Sequence, residues 1–424
     1  MIKKLLCSLA CVGCVWAYDT LDDALKNGIS NGDVVLYGSN TSLNGTSALS
    51  YGNGSDLSNS TYAAGSIGLA YRSGFYKSWR FMVSFRAAQV FYEADKHSLW
   101  ADDINSPNRD GSTGDASRDF YSAYRAMLGQ AYLEYFDGDT SVRAGRIFAK
   151  SEWADRLIDG IYVRNKSLQN TLIEVFWAKS SGYVQYNKMT GMYDLNPHNS
   201  LGLLNASIQY TFGDLLSLKA YGIFTPSVFN AAGFKAALNY EVSNSYIGAS
   251  ANFTTSFEGA HSLVGNAPGN GLVFDIRAFV GVKDFIQNMR NGLEISGGYI
   301  MSGSNGIGSL NIIGNNVSPF FMWGGRAFLL GSDASLAFGK INFSIDRISL
   351  ALVYGSTRFH NPYSFSAFDR TQGGYDRVNE VNFLLEFGVS EHSSLLLNVL
   401  NTHGGKNIYY PHTTAVNLGI KLAF

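Results

Sequence analysis

The chain has 424 residues, with 32 Lys and Arg against 33 Asp and Glu, and it is 46% hydrophobic and 14% aromatic with 46 glycines and only 7 prolines. The near-balance of charge gives no basic excess for nucleic acid. Beyond the first 17 residues no apolar run reaches the roughly eighteen residues that a membrane-spanning helix needs, so a helical membrane protein is excluded although nearly half the chain is apolar.

At the N-terminus, Lys3 and Lys4 precede an apolar stretch, Leu5 to Trp16, that is too short to span a bilayer. It closes on Val15-Trp16-Ala17, a small-residue cleavage pattern of the A-x-A type. Residues 1–17 are therefore expected to be a cleaved secretory signal, and 18–424 one domain. A lipoprotein signal is the alternative, but neither Cys11 nor Cys14 has leucine where that pattern requires it. Cys7, Cys11 and Cys14 all fall in the leader, so the mature chain is expected to hold no thiol for a disulfide, a thiolate metal site or a nucleophile. Loss of Lys3 and Lys4 leaves 30 basic groups (32 less 2) against 33 acidic, a formal net charge of −3.

Leu21, Ala24 and Leu25 stand at helical spacing and read either as a short turn of helix or as a loose lead-in. After them the period becomes two. Leu204, Ala206, Ile208, Tyr210 and Phe212 alternate with Asn205, Ser207, Gln209 and Thr211, and Phe274, Ile276, Ala278 and Val280 with Asp275, Arg277 and Phe279. The last segment does the same: Thr414, Val416, Leu418, Ile420, Leu422 and Phe424 share one parity, while Asn417, Gly419 and Lys421 share the other. Segments of about ten residues, apolar on one face and polar or small on the other, fit strands tilted through a bilayer with lipid outside and water inside.

Alternation of short and long connections places strands near 32–39, 62–72, 79–92, 124–136, 140–147, 159–166, 171–179, 203–212, 214–224, 233–241, 245–254, 271–283, 291–302, 335–346, 347–356, 379–389, 392–401 and 414–424. The expected fold class is all-β, a transmembrane antiparallel barrel of about eighteen strands with short periplasmic turns and long external loops. Turns such as Asp137-Gly138-Asp139, Ser243-Asn244 and Asp346-Arg347 belong on the periplasmic side. Aromatic clusters at strand ends, such as Phe75, Tyr76 and Trp79, read as interfacial girdles.

No nucleophile elbow, zinc-protease helix, phosphate loop or dinucleotide fingerprint occurs, so the expectation is a protein that is not an enzyme. The loop holding Asp102, Asp103, Asp110 and Asp115 is rich in oxygen ligands suited to calcium but lacks EF-hand spacing and its closing glutamate; a solvated turn is preferred, and no cofactor is expected. The most informative stretch runs from Val142 to Val163. A strand ending in Gly145-Arg146-Ile147-Phe148 enters a loop, Ala149 to Asp159, that packs Lys150, Glu152, Asp155, Arg156 and Asp159 around Trp153 and Leu157. Folded into a water-filled lumen, such a loop would narrow it and filter solutes by charge. Parity turns Arg86, Arg143, Arg277, Glu174 and Glu294 toward the lumen and leaves Arg146 at the loop junction; Glu134, Lys219, Glu386 and Lys421 are further inward candidates.

This segment resembles the OprD-type porins and the related major porins of epsilonproteobacteria. The elements that carry the likeness are Gly145-Arg146, Asp155-Arg156-Leu157, Gly160-Ile161-Tyr162-Val163, the start Thr20 to Gly28 before Gly32-Asp33-Val34, and the terminal Phe424. The resemblance implies a passive outer-membrane channel for ions and small hydrophilic solutes, narrowed by an inward-folded third external loop, with wall arginines forming a ladder for anionic groups. It also implies a homotrimer set among outer-membrane lipid and lipopolysaccharide. Ile147 and Phe148 follow the Gly-Arg pair where substrate-specific members carry Gln, and the third loop here is not rich in proline, so a general or weakly selective pore is expected. An adhesin or a membrane-embedded hydrolase on the same scaffold is the alternative.

Overall fold

The computed structural model describes residues 17–44, 59–95, 114–116, 119–120, 125–261, 270–287, 289–312, 314, 316–320, 333–360, 375–404 and 412–424. Its wall strands are β1 (Ile29–Asn44), β2 (Ser60–Arg72), β3 (Trp79–Glu93), β4 (Ala126–Phe136), β5 (Thr140–Ser151), β6 (Ala154–Asn165), β7 (Thr171–Gly182), β8 (Leu203–Phe212) and β9 (Leu216–Thr225). They continue as β10 (Phe229–Val242), β11 (Ser245–Glu258), β12 (Leu272–Lys283), β13 (Asn291–Ser302), β14 (Ser335–Ile345), β15 (Ile348–His360), β16 (Tyr375–Gly388), β17 (Ser393–His403) and β18 (His412–Ala423). The sheet has nineteen strands, of which the two-residue Tyr193–Asp194 pairs only with the end of β7, leaving eighteen in the wall. Each is antiparallel to its neighbours, and β1 pairs with β18 to close the barrel.

Pairing of β1 with β18 removes the two terminal edges that an open sheet would leave. The register sets Leu36 opposite Ile420 and Ser39 opposite Asn417, and the backbones of Gly32 and Phe424 exchange two hydrogen bonds of 2.8 and 3.0 Å just past the last ladder pair. A Cβ on Gly32 would stand 2.6 Å from the Phe424 ring, so the glycine makes room for that ring at the seam. The expected parity holds: Leu418, Ile420, Leu422 and Phe424 are exposed on the outside, whereas Ala415 and Asn417 are buried within.

Local chemistry explains the turns. Asp137 Oδ1 accepts the backbone N–H groups of Asp139 (3.0 Å) and Thr140 (2.7 Å), while Gly138 takes φ +109°, so the side chain supplies the turn that joins β4 to β5. Those two bonds also hold the Asp137 carboxyl below its ordinary pKa. The lead-in forms a helix, α1 (Leu21–Lys26), capped by Thr20 Oγ1, which accepts the Asp23 N–H at 3.1 Å. It buries Ala24 against the foot of the β2–β3 turn, where the Gly74 N–H donates to Ala24 O at 2.8 Å.

One expectation is corrected. Residues 149–159 are not a loop: β5 and β6 run on as a ladder to Ser151↔Ala154, and only Glu152 and Trp153 form the turn. Ile147, Ala149, Ala154 and Ile158 are wholly buried apolar positions, and burial on this scale selects a paired hairpin over irregular backbone. The hairpin is part of an apolar core inside the barrel, with Leu195, Tyr221, Phe229, Leu310, Val317 and Phe320 among its neighbours. A second interior cluster joins Val35, Tyr37 and Tyr62 of the wall to Ala116, Phe120 and Met189.

Candidate functional site: the β5–β6 hairpin and the charged lumen

The departure of the hairpin from the wall is encoded in two glycines that face each other in register, Gly145 and Gly160. Gly145 has φ +128°, and a Cβ there would stand 2.3 Å from Ala131 O. A Cβ on Gly160 would stand 1.8 Å from Trp177 O, at the point where the β6–β7 register shifts between Asp159 and Gly160. The β4–β5 ladder ends at Ala131↔Arg146, after which β5 pairs with β6 alone. Arg146 fastens this branch point: it donates twice to Asp159 (2.7 and 2.9 Å) and once to Leu128 O (3.0 Å), while Ser180 Oγ donates to Asp159 at 2.8 Å. A planar guanidinium fits that task because its fixed fork serves a carboxylate and a carbonyl at once.

At the tip, Glu152 reaches two inward lysines of the wall, Lys219 on β9 at 3.0 Å and Lys235 on β10 at 3.8 Å. Trp153 is 1% exposed, and its indole N–H donates to Thr254 Oγ1 of β11 at 3.2 Å. The segment after β13, with its short 3-10 turn Gly308–Ile312, closes over the hairpin. The Asn316 backbone N–H donates to Glu152 O (3.1 Å) and its amide to Ala154 O (2.7 Å). Glu258 holds that 3-10 turn by accepting from Ser309 N (2.9 Å) and Oγ (2.7 Å). Arg156 lies 4.8 and 5.8 Å from the ring centres of Tyr183 and Tyr193 and donates to Ile312 O at 3.1 Å, with Asp155 beside it at 3.9 Å. Arg156 thus ties one folded-in segment to another. Lys150 faces Asp155 across the hairpin and is exposed.

The wall residues expected to face the lumen come together with partners. Arg86 is 2.7 Å from Asp33 and donates to Ser66 Oγ at 2.9 Å. Arg143 and Arg80 flank Glu134, whose side chain is only 2% exposed; Arg143 stands 3.0 Å away and Ser141 Oγ donates at 2.8 Å. Glu174 accepts from Tyr162 at 2.7 Å with Arg164 at 3.5 Å, and Glu294 accepts from Asn342 (2.9 Å) and Tyr246 (3.1 Å). Arg277 pairs with Asp275 at 2.9 Å and reaches Val317 O. The pairs with Asp33, Glu174 and Asp275 are neutral. Glu134 between two guanidiniums, and Glu152 between two ammoniums, each leave one positive charge in excess.

Sequence reasoning missed a second inward segment. Val184–Gln185 and Lys188–Met189 form a small hairpin whose Met189 N–H donates to Asp119 O at 2.7 Å. Its Tyr186 ring lies 6.1 Å from Tyr37, and Ser66 Oγ donates to Tyr186 O at 3.4 Å. Burial and, after it, the Glu386 carboxylate hold the Tyr186 phenol above its ordinary pKa, against an opposing pull from Arg86. The turn former Asn187 between the pairs Val184-Gln185 and Lys188-Met189 was the available signal. Among the described residues no group of three or more His, Cys, Asp or Glu could hold a metal ion. Asp102, Asp103 and Asp110 lie outside those residues, and Asp115 Oδ2 accepts the backbone N–H groups of Thr61 (2.8 Å) and Asp95 (3.1 Å).

This closed barrel has counterparts among solved structures. OccK3 (OpdO) of Pseudomonas aeruginosa superposes with TM-score 0.67 at 11% identity, over 95% of this chain and 97% of that one. This chain has its fold. The outer membrane protein OpdK of Pseudomonas aeruginosa gives 0.66 at 11% identity over 94% and 99%, and OccAB4 of Acinetobacter baumannii 0.65 at 12% over 93% and 98%. No family model matches the chain, and none of the curated proteins does. The fold shared with these Occ porins agrees with the OprD-type architecture expected from Gly145-Arg146 and Gly160 to Val163.

Proposed function

We propose that the chain is an outer-membrane porin, a passive channel for ions and small hydrophilic solutes, exported by a signal in residues 1–17 that is then cleaved. One observation carries the reading: a closed barrel whose outer face exposes Leu, Ile and Phe on strand after strand while its inner face carries paired charges. Such a wall is stable only between lipid and water. The β5–β6 hairpin, the segment after β13 and the Tyr186 hairpin narrow the lumen, and the pore constriction involves Lys150, Glu152, Asp155, Arg156 and Asp159. Permeation breaks no bond; solutes pass by size and charge. The two positive clusters tilt the interior toward anions. OpdK has been solved with vanillate, and that aromatic carboxylate is a suitable anionic probe for this channel. Lipid and lipopolysaccharide surround the barrel; the tie to epsilonproteobacterial porins and the homotrimer rest on the resemblance alone.

Single-channel recording in planar bilayers tests the reading. Stable conductance steps with a mild preference for chloride over potassium are expected; insertion without steps would return the choice to an adhesin or a membrane-embedded hydrolase. A double variant, Asp155→Asn with Arg156→Gln, leaves the net charge unchanged but removes the Ile312 and tyrosine contacts of Arg156. Noisier, larger steps at nearly constant reversal potential are the expected outcome, and currents identical to the parent would remove this pair from the constriction.

A further inference from the structure

Past Ala131↔Arg146, β4 continues to Ala126 and β5 to Ser151 with no ladder between them. The seam lies at the level of the hydrocarbon: Leu128 is in register with Phe85, which is 57% exposed on the outer wall, and Leu133 below it is 49% exposed. Backbone edges are tolerated at that depth only where protein covers them or water and polar groups reach them. Protein covers part of this edge, because Arg146 donates to Leu128 O at 3.0 Å and the Gln130 side chain accepts the Phe148 N–H at 3.4 Å. Behind the seam sits a cavity of about 140 Å³, lined by Ser84, Gln130, Phe148, Leu157, Tyr183 and Gln185 among others, with no charged residue in its lining. Its volume matches about four or five water molecules.

We propose that this seam binds an uncharged single-chain membrane amphiphile. The hydroxyl head occupies the cavity, where Gln130, Gln185 and the open β4 edge offer hydrogen bonds, and the acyl chain lies in the bilayer along Phe85 and Leu133. An uncharged head fits because Arg146, the nearest cation named at the seam, is already neutralised by Asp159. The inference rests on the membrane-inserted barrel proposed above.

The full chain in phosphatidylethanolamine and phosphatidylglycerol vesicles, irradiated with a diazirine-bearing decanol and mapped by peptide mass spectrometry, tests it. Adducts on Leu128 to Ala131 and on Phe148 should exceed those on Leu418 and Ile420, plain lipid-facing positions, several-fold. Gln185→Trp, on the loop side of the cavity, and Gln130→Trp, on the wall, should each lower the seam signal to the level of that reference; the first leaves the wall untouched, so a folding defect in the second does not decide the matter. Seam labelling equal to the reference, or indifferent to Gln185→Trp, overturns the proposal while leaving the porin standing. Absence of label at Leu418 and Ile420 overturns the membrane-inserted barrel itself.

Discussion

Gly160→Ala is expected to be among the most damaging single substitutions in the barrel, costing about 3 kcal/mol or more. The added Cβ meets Trp177 O at 1.8 Å, and that oxygen is backbone held in the β6–β7 ladder, so no side chain can swing away to admit it. Relief requires moving β7 or unmaking the register shift at Asp159, and with it the Asp159 carboxylate that both Arg146 and Ser180 engage. Gly145→Ala combines strain at φ +128° with a 2.3 Å approach to Ala131 O and should behave similarly. Gly339→Ala on β14, where nothing lies within 4 Å, is the control and should change stability by no more than about 0.5 kcal/mol. Urea midpoints in lipid vesicles, with mobility of unheated samples on denaturing gels, provide the measurement. Equal midpoints for Gly160→Ala and Gly339→Ala would show that the hairpin does not branch where these glycines place it.

Glu152→Gln should shift reversal potential toward anions, and Lys219→Met should shift it the other way. The cluster of Glu152, Lys219 and Lys235 carries one net positive charge; the first change raises it to two and the second lowers it to zero. A unit charge about 7 Å away through water stabilises an anion and destabilises a cation by about 0.6 kcal/mol each, close to RT, so the anion-to-cation permeability ratio should move by about sevenfold. The shift should shrink in high salt as screening shortens the reach of the charge. Glu152→Gln also leaves Lys219, whose side chain is 12% exposed, without its carboxylate, so the tip should loosen and conductance should rise in noise as well as in anion preference. Reversal potentials unchanged in both variants would take the hairpin tip out of the ion path.

The barrel was readable from sequence because a strand between lipid and water must alternate, and Leu418, Ile420, Leu422 against Asn417 and Lys421 leave no other register. All eighteen wall strands lie where alternation puts them, and the differences are confined to their ends. The hairpin was harder. Between Ile147 and Ile158 the buried face meets protein and not lipid while Phe148 and Lys150 stay exposed, so the mixture of Lys150, Glu152, Asp155 and Arg156 with Trp153 reads as a loop. The charges are visible in the sequence, but their partners are not: nothing local links Glu152 to Lys219, or Arg156 to Ile312. Such pairings depend on which way the chain leaves the wall, and that direction is set by the facing glycines, Gly145 and Gly160. The Tyr186 hairpin went unseen for a related reason, since its anchors, Tyr37 and Ser66, lie far away along the chain.

The apolar core inside the barrel separates two properties that strand number usually couples. Circumference follows from eighteen strands and their tilt, but bore follows from what fills the interior. Here the filler is made of side chains such as Trp153, Leu195, Leu310 and Phe320, none of which faces the membrane. In the porin proposed above, trimming or enlarging them would retune permeability while the lipid-facing surface stays the same. A lineage under pressure to admit a new nutrient or exclude a toxic one could therefore vary its sieve without renegotiating assembly, and the drift of such proteins should concentrate in the filler before it touches the wall.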